Sequence, residues 1–418
     1  MKQLLFFQFL FYVIFSTFSF GGATDIDTAA GNTSGASLAF LSKFKGVFFI
    51  IPILMAFTLM SRSFIGKFLV FANKHRPLIV YIIIALIGLL WAADQKHSMT
   101  KLIILIFSLI SLISIITQYE GIYKKDAMLF VYNDLLKISF ILSLLLLVLF
   151  FSFGSFDLKK RNMFGPWCHG NTIAVSFGLL IFFALHYYNH LKNNFLLDPK
   201  RSRFIKITIA LLCVIFTIAF SRGAILAFII GFIGTRWLSY TWGQSKRAVL
   251  IFLGTVILMG GTFVISDKIL KAVSRTEKGD DLTSMTGRDV IWQQVLMNLN
   301  NRALIHGHGF AALTPNVTIR LERKDILGAH NTYLQILAGS GIPGILCFLW
   351  YFIALYRRAK VKIYRNLSYI KVDFLAGIVI FLLLFSMNDM IFGLNLSLTF
   401  IVLIIINHAT HQKHIFWD

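Results

Sequence analysis

Hydrophobic positions fill this chain in blocks from one end to the other, separated by short polar joints, and each block is about the 17–25 residues that cross a bilayer. Twelve runs stand out: 3–20, 44–60, 77–92, 101–117, 136–153, 172–189, 204–219, 223–240, 248–265, 332–355, 371–387 and 391–407. The pattern predicts an all-α polytopic membrane protein with about twelve transmembrane helices. The first run, after Lys2, is read as an uncleaved helix. Its apolar stretch exceeds the usual signal-peptide core of about 7–15 residues, and no clear A-x-A site follows.

Composition strengthens that reading: only 14% of the 418 residues are charged and 57% are hydrophobic, against about 25% charged in ordinary soluble domains. One helical membrane domain is the economical organisation. Cys168, Cys213 and Cys347 match neither a disulfide framework nor a zinc spacing. The net charge of +22 would suggest nucleic acid in a soluble chain. In a membrane protein basic residues first serve topology, so the partners implied are membrane lipids and not nucleic acid.

Basic joints alternate. Arg62, Lys67, Lys74 and Arg76, then Lys124 and Lys125, Lys192 to Arg203, Arg236 to Arg247, and Arg357 to Arg365 mark one side as cytoplasmic. Both termini then lie inside, and a long polar loop falls outside. The chain divides into helices one to nine over 1–265, the outer loop over 266–331, and helices ten to twelve over 332–418. Loops of this length usually carry function. Within it, Thr286 and Asp289 fit a capping box. Val290, Ile291, Val295, Leu296 and Leu299 then recur at helical spacing, predicting a short amphipathic helix against the membrane or the bundle.

Some basic residues run against the topological trend. Lys159, Lys160 and Arg161 precede the sixth run, Arg222 stands between the seventh and eighth, and Arg275, Arg288, Arg302, Arg320 and Arg323 lie in the outer loop. An outer surface rich in arginine suits an anionic lipid diphosphate or phosphorylated saccharide, because guanidinium binds phosphate oxygens bidentately. Attraction to anionic head groups is the plainer alternative. Ser221-Arg222-Gly223 is nearly all that separates two apolar runs, so the guanidinium sits at the membrane rim, where an uncompensated charge is costly. A bound phosphate or a carboxylate would offset that cost, and Asp389, in the turn before the last run, falls on the same side.

The second candidate is Gly328-Ala329-His330-Asn331-Thr332-Tyr333, where the outer loop enters the tenth run. A histidine at a helix N-terminus feels the positive end of the dipole, which keeps its imidazole neutral and able to accept a proton. Helix capping by His330 or Asn331 is the alternative use. Gly339, Gly341, Pro343 and Gly344 then interrupt the span, a break tolerated where backbone is buried in protein or lines a cavity. His306-Gly307-His308-Gly309 reads as a glycine-rich turn before it reads as zinc ligands. His169 and Asn171 offer polar groups at the same interface, just before the sixth run. No D-x-D or E-x-x-H pattern supplies a divalent cage, so phosphate binding by arginine, without metal or other cofactor, is the consistent expectation.

These residues resemble the bacterial O-antigen ligases within the O-antigen ligase and polymerase superfamily. The resemblance rests on Ser221-Arg222-Gly223-Ala224 opening a span, Gly287-Arg288 with Trp292 in the outer loop, His306-Gly307-His308-Gly309-Phe310, and His330-Asn331-Thr332-Tyr333-Leu334 followed by Gly341-Ile342-Pro343-Gly344. The chain departs from the family's usual H-P-N in having His169-Gly170-Asn171. The resemblance implies a GT-C-type glycosyltransferase of the bacterial inner membrane, with its active site facing the periplasm. It would move a polysaccharide from undecaprenyl diphosphate to lipid A-core in lipopolysaccharide biosynthesis. Arg222 and Arg288 would hold the diphosphate and His330 would activate the acceptor, with Arg161, His169, Asn171, Asn331, Tyr333 and Asp389 as substrate-binding candidates. Displacement by one hydroxyl predicts inversion at the anomeric carbon. An O-antigen polymerase using the same donor is the nearest alternative, followed by transfer to a protein hydroxyl and by a transporter or flippase.

Overall fold

The computed structural model describes residues 2–18, 54, 64–153, 170–193, 195–219, 221–238, 292–293, 295–297, 299, 301–310, 331–364, 372–386 and 397–409. Every regular element among them is helical. The elements are α1 (Lys2–Phe18), α2 (Phe64–Lys74), α3 (Arg76–Ile87), α4 (Gln95–Tyr123), α5 (Ala127–Phe153), α6 (Gly170–Asn193), α7 (Pro199–Ile218) and α8 (Arg222–Leu238). They continue with α9 (Asn301–His306), α10 (Thr332–Tyr364), α11 (Val372–Ser386) and α12 (Leu398–Ala409). Ten of the twelve apolar runs coincide with these helices. The other two, 44–60 and 248–265, lie outside the described residues apart from Leu54. Among the described residues, four helices are long and apolar enough to cross a membrane, or five if α2 and α3 form one bent span. With the shorter apolar helices α1, α8, α11 and α12, they make this a multi-pass membrane protein.

One apolar core runs through the bundle. At its centre α12 is buried along its whole length, as expected of a helix that is hydrophobic all round. Ser176 of α6 and Thr399 of α12 share a hydrogen bond of 2.9 Å near both N-termini, so those two ends lie together. Short turns link α6 to α7 and α7 to α8, making an up-down-up unit. Phe182 of α6 and Phe216 of α7 both pack on Phe228 of α8, with ring centroids 4.7 and 5.2 Å away.

Helices α8 and α11 approach through glycine. A Cβ added at Gly231 would lie 2.7 Å from the Gly377 carbonyl oxygen, so backbone meets backbone, the close packing that small residues allow in membranes. Phe228 pairs with Phe381 at 6.1 Å, and Thr235 packs against Gly377. Residue numbers rise along one helix as they fall along the other: the pair is antiparallel.

Two findings depart from the apolar pattern. The joint before the third run, expected as a cytoplasmic loop carrying Lys67 and Lys74, is the helix α2, bent 100° from α3. It forms because Phe68, Phe71 and His75 recur at helical spacing and face the core. The tenth run is two arms, 332–340 and 342–364, meeting at Gly341 with φ 65° and ψ −165°.

Candidate active site at converging helix N-termini

Arg222 is the first residue of α8. The carbonyl of Ser221, buried before it, accepts the first helical bond from the Ile225 N–H at 2.9 Å, so α8 starts at the break expected from sequence and carries a half-buried arginine at its N-terminus. The antiparallel register with α11 places Arg222 near the level of Ser386, where α11 ends. Leu383 is roughly 5 Å below that end, at 1.5 Å per residue.

The Tyr333 hydroxyl donates to the Leu383 carbonyl at 3.0 Å. Arg222 and the start of α10 therefore occupy the same end of the bundle. Asn331 is buried, and its side-chain oxygen accepts from the Leu334 N–H at 3.2 Å, an N-cap. Thr332 is buried beside it.

The break in α10 shapes this end. Tyr333 and Phe348 lie on opposite sides of Gly341, yet their ring centroids are 5.6 Å apart; fifteen residues of straight helix would separate them by about 22 Å. The arms fold toward each other at an acute angle, so the N-terminus of the short arm is recessed along the long one by roughly 12 Å from the break. Pro343 falls in the first turn of the long arm, where no intrahelical donor is needed.

The glycine-rich segment after α9 fills the break. The His308 and Gly309 N–H groups donate to the Ala338 and Gly339 carbonyls at 2.7 and 3.1 Å, and the His308 carbonyl accepts from Ala93 at 3.0 Å. Trp91 Nε1 donates to the His306 carbonyl at 3.3 Å, and the Ser98 hydroxyl donates to that of Phe310. Gly307, Gly309 and Gly341 all have positive φ, and a Cβ at any of them would strike backbone across this junction. Backbone exposed by the break is thus satisfied by another backbone segment, as a low-dielectric interior demands. His306 Nδ1 lies 2.7 Å from the neighbouring Gly307 carbonyl. Among the described residues no three His, Cys, Asp or Glu side chains come together to hold a metal ion.

Residues of the segment before α9 also pack here. Val295 and Leu299 are buried with Ala303 and Ala338, against Leu334 and Leu337 of the short arm. Two apolar positions of the helix expected after Thr286, Val295 and Leu299, therefore lie on the bundle, although Leu296 is 51% exposed; Thr286, Asp289, Val290 and Ile291 lie outside the described residues. Asn171 is the second residue of α6 and half-exposed, at the end shared with Arg222. The structure thus brings Asn171, Arg222, Asn331 and Tyr333 to one end. His330, Arg288, Arg161, His169 and Asp389 lie outside the described residues. Sequence reasoning singled out the glycines but missed their mutual docking and the part of Trp91 and Ser98 in it; the signal was Gly-x-Gly facing Gly-x-Gly, at 307–309 and 339–341.

The N-termini of α6, α8, the short arm of α10 and α12 all point to this end. Each contributes the positive end of a helix dipole, roughly half a positive charge. With Arg222 among them, the arrangement suits an anionic group such as a phosphate.

Residues 207–349, about a third of the chain, match a family model described as O-antigen ligase. The matched stretch contains Arg222, Arg288 and His330. A search of curated proteins found no match.

Proposed function

From the O-antigen ligase domain that the chain carries over residues 207–349, within a family of membrane glycosyltransferase-like ligases and polymerases acting on lipid-linked glycans, we propose that this protein is an O-antigen ligase. It transfers a polysaccharide from undecaprenyl diphosphate to lipid A-core at the periplasmic face of the inner membrane, in a GT-C-type framework of about twelve spans. The observation that carries the reading is the presence of Arg222 and the recessed N-terminus of α10 at the same end of the bundle.

The chemistry needs three roles. The sugar already bears a good leaving group, so the protein has to align an acceptor hydroxyl with the anomeric carbon, remove its proton and stabilise charge on the departing diphosphate. Arg222 and Arg288 take the last role, strongest where water is excluded. His330, immediately before the Asn331 cap, is the general base, worth typically about 10²–10⁴ in rate. Asn171, Asn331, Tyr333, Arg161, His169 and Asp389 shape the surrounding surface. Direct attack inverts the anomeric carbon and calls for no covalent intermediate, nucleotide sugar or metal.

The test is reconstitution with undecaprenyl diphosphate-linked glycan and lipid A-core, comparing wild type with His330→Ala and Arg222→Ala. Both variants should fold and lose transfer. Unimpaired turnover by His330→Ala would remove it as base, abolition by chelator would overturn the metal-free chemistry, and glycan extension on the carrier without lipid A-core would make the protein a polymerase.

A further inference from the structure

At the end of the bundle opposite Arg222, a half-open cleft of about 130 Å³ lies between α2, α4 and the last turn of α12. At a liquid-water share of about 30 Å³ per molecule, it has room for a small polar group. Its walls divide by chemistry. Lys67 and Lys74 of α2 stand on one side, Glu120 of α4 and His408 of α12 on another, and Phe71 and Ile113 line the apolar part. Glu120 is one-third exposed there and lies 3.0 Å from His408 Nε2.

The setting is interfacial. Because α2 is bent 100° from α3, it lies nearly in the membrane plane when α3 crosses the bilayer. It turns Phe71 into the core while Leu69 and Val70 are 62% and 56% exposed, the habit of an amphipathic helix resting at the headgroup level. Aromatic stacking of Phe71 on His75 at 4.0 Å and the Asn407–His75 hydrogen bond of 3.1 Å tie α2 to α12, so the cleft has rigid walls.

Two lysines and one carboxylate lining a single cleft complement a headgroup that carries both signs. A purely anionic headgroup would be drawn by the lysines but repelled by Glu120. A quaternary ammonium could not donate a hydrogen bond to the carboxylate. We propose that this cleft seats a phospholipid with a primary ammonium, its phosphate against Lys67 and Lys74, its ammonium toward Glu120, and its acyl chains leaving past Val70 and Ile113. The site is separate from the glycosyl-transfer end and independent of the reaction catalysed there.

Lipid retention tests it. The full-length protein, purified in detergent and incubated with equal amounts of phosphatidylethanolamine, phosphatidylglycerol and phosphatidylcholine, is analysed by native mass spectrometry. Wild type should retain phosphatidylethanolamine at least several-fold over the other two. Gly66→Leu fills the cleft from a position where an added Cβ meets nothing within 4 Å, so it should fold normally and lose most of that retention. Lys67→Gln should weaken it several-fold, and Glu120→Gln should erase the preference over phosphatidylcholine. Equal retention of the three lipids, preference for phosphatidylglycerol, or full phosphatidylethanolamine retention by Gly66→Leu would each overturn the proposal.

Discussion

Replacing Gly341 by alanine is the sharpest test of how the active end is held together. The backbone there has φ 65° and ψ −165°, a region essentially restricted to glycine, and a side chain forced into it costs about 1–3 kcal/mol. The new Cβ would also lie 2.5 Å from the Ile305 carbonyl oxygen and 2.9 Å from the His306 nitrogen. These are backbone atoms, so relief requires moving the whole 305–309 segment. That motion strains the bonds from His308 and Gly309 to Ala338 and Gly339, each worth about 0.5–1.5 kcal/mol net. The combined loss is about 2–6 kcal/mol.

Its functional consequence follows from geometry. The break sets the direction of the short arm, whose far end carries Asn331 and Tyr333 toward Arg222, so Gly341→Ala should cut glycan transfer sharply even in protein that still inserts. Thermal unfolding in detergent and the reconstituted transfer assay read the two effects. Gly121→Ala is the control, since its Cβ meets nothing within 4 Å and it should gain about 0.5–1 kcal/mol from helix propensity. A Gly341→Ala protein with wild-type melting and turnover would refute the account of the break.

Three further outcomes are expected. Gly377→Ala should destabilise by about 1–3 kcal/mol, because its Cβ would overlap the Thr235 hydroxyl and press on the Gly231 carbonyl; unchanged melting would count against the close α8–α11 contact. Asn331→Ala should cost about 0.5–2 kcal/mol through loss of the cap, and Asn331→Asp should restore it, so equal melting of the two variants would argue that the cap is not made. Buried Asp134 accepts from the Tyr119 hydroxyl at 2.8 Å and from Lys137 at 3.0 Å. A double-mutant cycle of Asp134→Ala with Tyr119→Phe should show coupling of about 0.5–3 kcal/mol, whereas additive effects would dissolve the network.

Much of the architecture was legible from hydropathy, because burial of some eighteen successive apolar residues leaves few alternatives to a helix crossing lipid. Ser221-Arg222-Gly223 announced a tight hairpin because a charge and a glycine interrupt an otherwise continuous apolar run, and α7 ends at Ile218 with α8 starting at Arg222. The loop helix was partly readable: Val295 and Leu299 bury as their spacing indicates, while Leu296 faces outward. Helix α2 was hidden by its own lysines, which read as a topogenic joint although they border a cleft.

What the amino-acid order determined alone is the set of segments that prefer lipid, the basic joints between them, and the residue types available at each helix start. What tertiary structure decided is which starts meet. The acute fold of α10 depends on His308 and Gly309, thirty residues away, supplying backbone donors to Ala338 and Gly339. The placing of Arg222 at the same end of the bundle as Tyr333 depends on the α8–α11 register set by Gly231 and Gly377. Hydropathy is a local preference of each residue for its solvent. These contacts are pairings of distant backbones, whose stability exists only once both partners are in place.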